Sequence, residues 1–447
     1  MLSSLALAAP LLLAGLQAAT VSAIPTISAV GSKFFYENGT QYYLKGIAYQ
    51  LTPNDPLTDG AQCKRDIARM SELGTNAIRV YHVDPTADHK ACMTAFADAG
   101  IYLFVDLDTF STQIEQTNPH WNQTQFDHFK EVLDEFQQFD NTAGVFVGNE
   151  VLTTADGSHA APYVLAAARD IKAYRDQKGY REIPVGYSAA DIADLRPMLQ
   201  NYLACQTNSS DRLDFYSLNA YEWCGDSSYT VSGYNMLQKN ATDYPIPIFF
   251  SETGCNTPAP RMFDDQAAIF GKDMSGTWSG AIIYEWIEET NDYGLISYGP
   301  SAKAATNTLV EDGYTRKGTP TPVSPDFTNL KKQWATLHPT GVHLSDYKKS
   351  VSSISSIECP ASTKGGWAVD PSSPLPTLGQ TYKATSQATA TAGSTGQGTS
   401  SGSNASATSS GKDNAAGAVT VTGLATERLL MASLFLSAGM GALAFLL

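Results

Sequence analysis

The chain has no Cys-x-x-Cys pair, and none of its seven histidines stands at the spacing by which one helix offers two ligands to a metal. No structural or catalytic metal centre is therefore expected. No Gly-x-Gly-x-x-Gly and no P-loop follows any apolar run, so the usual signs of a nucleotide cofactor are missing and none is expected. Basic residues are scarce, 29 against 44 acidic ones, for a formal net charge of −15. A nucleic-acid partner needs a basic face, which this balance excludes, whereas a neutral polymer would be indifferent to the field.

Long apolar runs occur at the two ends. Residues 5–16 are apolar apart from small residues and Pro10, and the small-residue sites Ala18-Ala19 and Val21-Ser22-Ala23 follow. This is the order of a secretory signal peptide, assigned to residues 1–23, although its first residues lack Lys or Arg. At the other end, Asn414-Ala415-Ala416, a mostly polar or small spacer and an apolar run over 429–447 with no charged stop match a glycosylphosphatidylinositol signal. Asn414 is the expected attachment residue and 414–447 the signal. A tail-anchored helix is the alternative, but the missing cytosolic basic residues argue against it. The expected location is the outer face of the plasma membrane, with the cell wall as a further destination.

Six cysteines, Cys63, Cys92, Cys205, Cys224, Cys255 and Cys359, form an even set that predicts three disulfides in an exported protein. Composition alone leaves their pairing open. Sequons at Asn38, Asn122, Asn208, Asn240 and Asn404 permit N-glycosylation. Residues 361–413 are rich in Ser, Thr and Gly and have no apolar period, which predicts a flexible or O-glycosylated stalk.

The remaining segment, 24–360, alternates strand and helix signals. Strands are expected at 42–49, 76–81, 101–107, 145–151, 183–188, 215–221, 246–252 and 281–287. Helices are expected at 63–73, 86–99, 126–139, 160–178, 190–203 and 264–274, the clearest being the apolar stripe Phe126, Phe129, Val132, Leu133, Phe136 and Phe139. Eight strands alternating with helices predict an α/β fold, a parallel (β/α)8 TIM barrel with a short C-terminal extension. A doubly wound open sheet is the alternative.

Two of these strands end in glutamate. Val145-Phe146-Val147-Gly148-Asn149-Glu150 closes the fourth, and Ile246 to Glu252 the seventh, where a barrel builds its active site. Cleaving a glycosidic bond requires a proton donor for the leaving oxygen and a carboxylate for the anomeric carbon, so paired acids on facing strands suggest a glycosidase-like centre. Glu285, Glu288, Glu289 and Asp108 lack the Asn or Ser that precedes the chosen pair and read as loop or supporting charges.

The stretches Tyr43-Leu44-Lys45-Gly46-Ile47-Ala48-Tyr49-Gln50, Asn76-Ala77-Ile78-Arg79-Val80-Tyr81, Phe249-Phe250-Ser251-Glu252-Thr253-Gly254-Cys255-Asn256 and Tyr293-Gly294-Leu295 together resemble glycoside hydrolase family 72. Those enzymes are fungal, GPI-anchored 1,3-beta-glucanosyltransferases of the cell wall. The resemblance implies Glu150 as acid/base and Glu252 as nucleophile, with Asn149 on the 2-hydroxyl of the reacting sugar and Tyr221 orienting Glu252. It further implies Gln50, Tyr81, Asp106 and Tyr284 along a glucan groove, and the disulfides Cys63–Cys92, Cys205–Cys359 and Cys224–Cys255. A monomer acting on β-1,3-glucan donor and acceptor chains is the expected form. With no cysteine after Cys359, the short form of the family, without a cysteine-rich carbohydrate-binding module, is expected. A β-1,3-glucanase or a non-catalytic wall-binding protein on the same scaffold are the alternatives, and the retained acid pair argues against the latter.

Overall fold

The structure, a computed structural model, describes residues 24–299, 309–350 and 357–383. The signal peptide, Asn404, Asn414 and most of the stalk lie outside the described residues. Residues up to Gln380 form one compact unit. Of a second, beginning at Thr381, only the exposed stretch 381–383 is described.

Eight parallel strands close into a barrel in sequential order: β1 (Leu44–Ala48), β2 (Ala77–Val80), β3 (Tyr102–Asp106), β4 (Thr142–Asn149), β5 (Val185–Ala190), β6 (Phe215–Asn219), β7 (Ile248–Thr253) and β8 (Trp278–Ile283). The (β/α)8 expectation therefore holds. Helices follow the strands in turn: α1 (Gly60–Leu73), α2 (Lys90–Asp98), α3 (Gln123–Phe136), α4 (Ala161–Lys178), α5 (Met198–Tyr202), α6 (Tyr234–Asn240), α7 (Asp265–Ile269) and α8 (Asp326–Thr336). The apolar stripe of α3 is buried, and Asn122 starts the helix through a reciprocal capping box with Gln125. Helix α8 closes the ring: Trp334 donates to Gln266 of α7 and Lys331 pairs with Glu72 of α1.

Several expected boundaries shift. The helix expected at 190–203 shrinks to the single turn of α5, because Ala190 still belongs to β5 and the chain turns through Pro197 before becoming helical. Helices α6 and α8 had no expectation assigned to them, nor did a short antiparallel sheet, Ile27–Val30, Lys33–Tyr36 and Gln41–Tyr42, that precedes the barrel.

That sheet closes the N-terminal end of the barrel. Fully buried Phe34 projects from it among Phe104, Phe215 and Phe249, at ring separations of 6.1, 5.9 and 6.0 Å, and Phe146 joins the same cluster 5.2 Å from Phe215. Space for the rings comes from small neighbours: a Cβ on Gly186 would sit 2.2 Å from the Phe215 ring.

All three expected disulfides are present. The boundary expected between the folded segment and the stalk, at 360/361, is displaced. Beyond Cys359 the chain continues as a strap against the barrel: Trp367 is fully buried and meets Tyr202 at 5.4 Å. Ala368 N–H donates to Ser158 Oγ, Arg169 to the Pro376 carbonyl, and Gly379 N–H to the Trp121 carbonyl. Trp367 and Val369 supply enough apolar anchorage to order a segment whose average composition reads as disordered. Within the described residues no helix is long and apolar enough to cross a membrane, and no cluster of His, Cys, Asp and Glu could hold a metal ion.

Candidate active site

The C-terminal ends of the strands depart from regular pairing where the acids sit. Register slips between Phe146 and Asn149 in the β4–β5 pair, between Leu218 and Asn219 in β6–β7, and between Phe250 and Thr253 in β7–β8. Such irregularities re-aim side chains at a barrel rim. Glu150, the residue after β4, has φ 49°, a conformation that costs free energy for any residue with a Cβ and that clusters at functional sites. Its N–H donates to the Ser188 carbonyl, which fixes the turn. After β7, Gly254 takes φ 116°, a conformation left to glycine, so the chain can turn sharply just past Glu252.

Glu252 is 8 % exposed and held from three sides. Tyr81 donates to Oε1 at 2.9 Å, Tyr221 to Oε2 at 2.8 Å, and Arg79 Nη1 approaches Oε1 at 3.4 Å. Burial pushes the Glu252 carboxyl up to about 7, against the downward pull of Arg79, with the Glu150 charge adding to the rise and the two tyrosines opposing it. Burial and the nearby Glu252 charge hold both phenols well above their ordinary range, so they act as donors.

Beneath the acids lies a buried polar floor. Arg79 of β2, fully buried, binds Asp106 of β3 through two hydrogen bonds of 3.1 and 2.8 Å, and also reaches Ser188 and Asn149 at 3.1 and 3.0 Å. Its guanidinium lies 4.3 Å from the Tyr81 ring and 4.5 Å from that of Phe146. Burial disfavours its charge, but Asp106, Tyr81 and Glu252 outweigh that and raise its pKa. Asn219 of β6 accepts from Ser188 and Ser251 on its oxygen and donates to both Asn149 and Glu150, the last at 2.9 Å. Because Asn149 Oδ1 accepts from both Arg79 and Asn219, the amide has one orientation, and its Nδ2 is the group left to meet a ligand.

The other expected site residues divide. Tyr221, Tyr284 and Tyr293 form an aromatic wall with ring separations of 6.4, 5.7 and 5.4 Å. Tyr81, expected along the groove, is a direct partner of Glu252. Asp106, also expected there, is 2 % exposed and lies under the site, because the buried Arg79 charge requires a counterion. Burial nevertheless pushes its carboxyl up, against the pull of Arg79. Gln50 spends its amide on the backbone after β1 and β2, accepting from the N–H groups of Tyr81 and His82 and donating to the carbonyls of Thr52 and His82. It fixes the loop that carries Tyr81. Glu285, set aside on sequence, is buried and bound by Asn291 at 2.8 Å, and Glu289 pairs with Arg316.

Arg79, Ser188, Asn219, Ser251 and Tyr293 had no role on sequence grounds. Arg79 carried a signal: a charge between Ala77-Ile78 and Val80 in a buried strand must be paired. The serines and Asn219 carried none beyond their place near strand ends. Among the sequons, Asn38 and Asn208 are exposed, while Asn122 and Asn240 are half-buried and Asn122 also caps α3. Cys224–Cys255 links the loops after β6 and β7, next to Tyr221 and Glu252.

With this geometry in hand, the comparisons are specific. A family model described as glucanosyltransferase matches residues 16–314. Protein EPD1 of Candida maltosa is 41% identical over 348 residues, covering 76% of this chain and 60% of that protein. A 1,3-beta-glucanosyltransferase of Arthroderma benhamiae is 40% identical over 353 residues, covering 76% and 61%. This chain thus spans about 60% of the length of these curated relatives. Saccharomyces cerevisiae Gas2p, solved as a glutamate-to-glutamine mutant in complex with laminaritetraose and laminaripentaose, superposes with a TM-score of 0.69 at 38% identity, covering 78% of this chain and 74% of that one. The chain belongs to the glucanosyltransferase family, glycoside hydrolase family 72.

Proposed function

We propose that the chain is a retaining 1,3-beta-glucanosyltransferase that cleaves a β-1,3-glucan chain and transfers the enzyme-bound part to the non-reducing end of another. The observation that carries this reading is the unequal setting of the two acids. Glu252 is locked between Tyr81 and Tyr221 over Arg79, as a nucleophile must be aimed, while Glu150 faces it on a strained turn with Asn219 as its partner. The names of the relatives and the laminari-oligosaccharides bound to Gas2p support the substrate class.

The cycle needs one proton on the pair, resident on Glu150. Burial still disfavours the Glu252 carboxylate, but protonating Glu150 removes the like charge that adds to that effect, and Arg79 and the two tyrosines then favour ionised Glu252. Glu252 attacks the anomeric carbon while Glu150 protonates the leaving oxygen, giving a covalent glucosyl-enzyme. Glu150, now ionised, takes the proton of the acceptor's 3-hydroxyl, whose oxygen displaces Glu252 and restores the β configuration. Asn149 Nδ2 donates to the 2-hydroxyl of the reacting sugar. No cofactor takes part.

The secretory leader, the GPI attachment at Asn414, the N-glycans and placement at the outer face of the plasma membrane or in the wall complete the proposal. Release of the protein from cells by a phosphatidylinositol-specific phospholipase checks the anchor. The activity is checked by incubating the secreted protein with reduced laminari-oligosaccharides. Products longer than the starting chain are expected. Shorter products alone would make it a glucanase, and unchanged substrate would leave a binding protein.

A further inference from the structure

Behind the aromatic wall lies a buried cation that takes no part in the catalytic cycle. Arg261, in the segment after β7, is 3 % exposed. Its Nε donates to Asp326, at the start of α8, at 2.7 Å, which supplies the counterion that a desolvated guanidinium requires. The other two nitrogens go elsewhere. Nη1 donates to the Tyr284 carbonyl at 2.9 Å and Nη2 to the Tyr293 carbonyl at 2.7 Å. These carbonyls belong to two of the three residues whose rings form the wall beside Glu252. The guanidinium also lies 4.8 Å from the Phe263 ring and 5.8 Å from that of Tyr293.

Tyr284 directly follows β8, and Tyr293 stands on the returning limb of the same loop, where its carbonyl also accepts from the Glu285 N–H. The two Nη groups of a planar fork keep a fixed separation, so one guanidinium bound to both carbonyls sets the distance between the limbs and hence between the rings. A lysine would keep the ion pair, but its single nitrogen cannot span the limbs as the fork does. Helix α8 in turn holds the fork: besides Asp326, Asn329 Nδ2 donates to the Arg261 carbonyl at 2.9 Å. A helix on the outside of the barrel is thus tied, through one side chain, to the wall at its mouth.

We infer that Arg261, anchored by Asp326, is a positioning residue that holds the Tyr284 and Tyr293 rings together as one face for a glucosyl unit. It touches no sugar itself and acts only through the two rings. This role rests on the glucan reading given above and adds to it the residue that sets the shape of the wall.

The test is a double-mutant cycle on the Glu150→Gln protein, which cannot turn over, titrated calorimetrically with laminari-oligosaccharides while thermal melting confirms the folded fraction. Arg261→Lys should weaken binding by roughly tenfold, and Tyr293→Ala should weaken it too. Combined, they should weaken it by less than the product of the two losses, because the second change acts on a ring already gone. Asp326→Asn, which leaves the fork in place without its charged anchor, should weaken binding by about threefold and decides the matter if Arg261→Lys fails to fold. With Glu150 intact, the loss should appear as a raised KM at nearly unchanged kcat. Parent-like affinity of Arg261→Lys, or of Asp326→Asn where that variant decides, would overturn the role while leaving the glucan reading intact. Losses that simply multiply, or a lowered kcat at unchanged KM, would do the same. Failure of the parent to bind any oligomer would overturn the glucan reading and the positioning role together.

Discussion

The two ends of the barrel interior are built from the same eight strands and solve opposite problems. The N-terminal end is a cluster of five phenylalanines, Phe34, Phe104, Phe146, Phe215 and Phe249, with no polar atom among their side chains. The C-terminal end holds Arg79, Asp106, Asn149, Ser188, Asn219, Ser251 and Glu252, each tied to at least one of the others. At the seam between them Arg79 lies over Phe146 at 4.5 Å, and Tyr81 and Tyr284 pack against the aromatic cluster from above. The aromatic end draws its stability from area, and a misfit there costs by degrees. The polar end depends on completeness, since one missing partner leaves a buried charge or donor exposed to nothing. Stability is thus concentrated at one end and chemistry at the other.

The largest break in this comparison comes from the acids. Glu252→Gln and Glu150→Gln should each lower transfer by at least about a thousandfold while thermal melting stays close to that of the parent, because an amide keeps the shape but neither ionises nor shuttles a proton. Retention of a tenth of the activity, a barrier change of only ~1.4 kcal/mol, would remove that residue from the mechanism.

Arg79→Met should come next, destabilising by about 3 to 5 kcal/mol as Asp106 is left without its counterion. Denaturant titration of Arg79→Met combined with Asp106→Leu sharpens the point. Extending the apolar chemistry of the lower end upward should recover most of the stability, and activity should stay lost because Glu252 and Asn149 have lost their shared partner. Recovery of both would mean that the floor is structural only. Phe34→Ala is the converse: a loss of about 3 to 5 kcal/mol in stability, with turnover per folded molecule preserved.

The smallest effect is a shift in pH dependence. The Tyr221 hydroxyl lowers the Glu252 pKa, so Tyr221→Phe raises it. The acidic limb of kcat/KM, set by ionisation of Glu252, should then move to higher pH by roughly one unit, equivalent to ~1.4 kcal/mol. A limb that stays in place, or moves to lower pH, would separate Tyr221 from the ionisation of the nucleophile.

Much of this contrast was legible in the sequence. The acids could be placed because a strand in a parallel barrel is a nearly continuous apolar run, and a carboxylate at its end stands out. Arg79 stood out in the same way but gained its partners only in three dimensions, since Asp106, Asn149 and Glu252 reach it from other strands. The resemblance implies Asp106 and Gln50 along the groove, and their strand-end positions agree, but such a position locates a residue along the barrel axis and not which layer its side chain enters. The strap beyond Cys359 was missed because composition averages over a window, whereas Trp367 alone supplies a buried anchor. The N-terminal plug escaped because its strands are two to four residues long, too short to show a period.

The central claim is that Glu252 is the residue that bonds to sugar, and a 2-deoxy-2-fluoro laminari-oligosaccharyl fluoride tests it directly by slowing release of the covalent intermediate. Peptide mass spectrometry should find the added sugar on the peptide carrying Glu252, with no label when that residue is Gln. A label on Glu150 or elsewhere, or a protein that consumes the reagent without ever carrying it, would contradict the account.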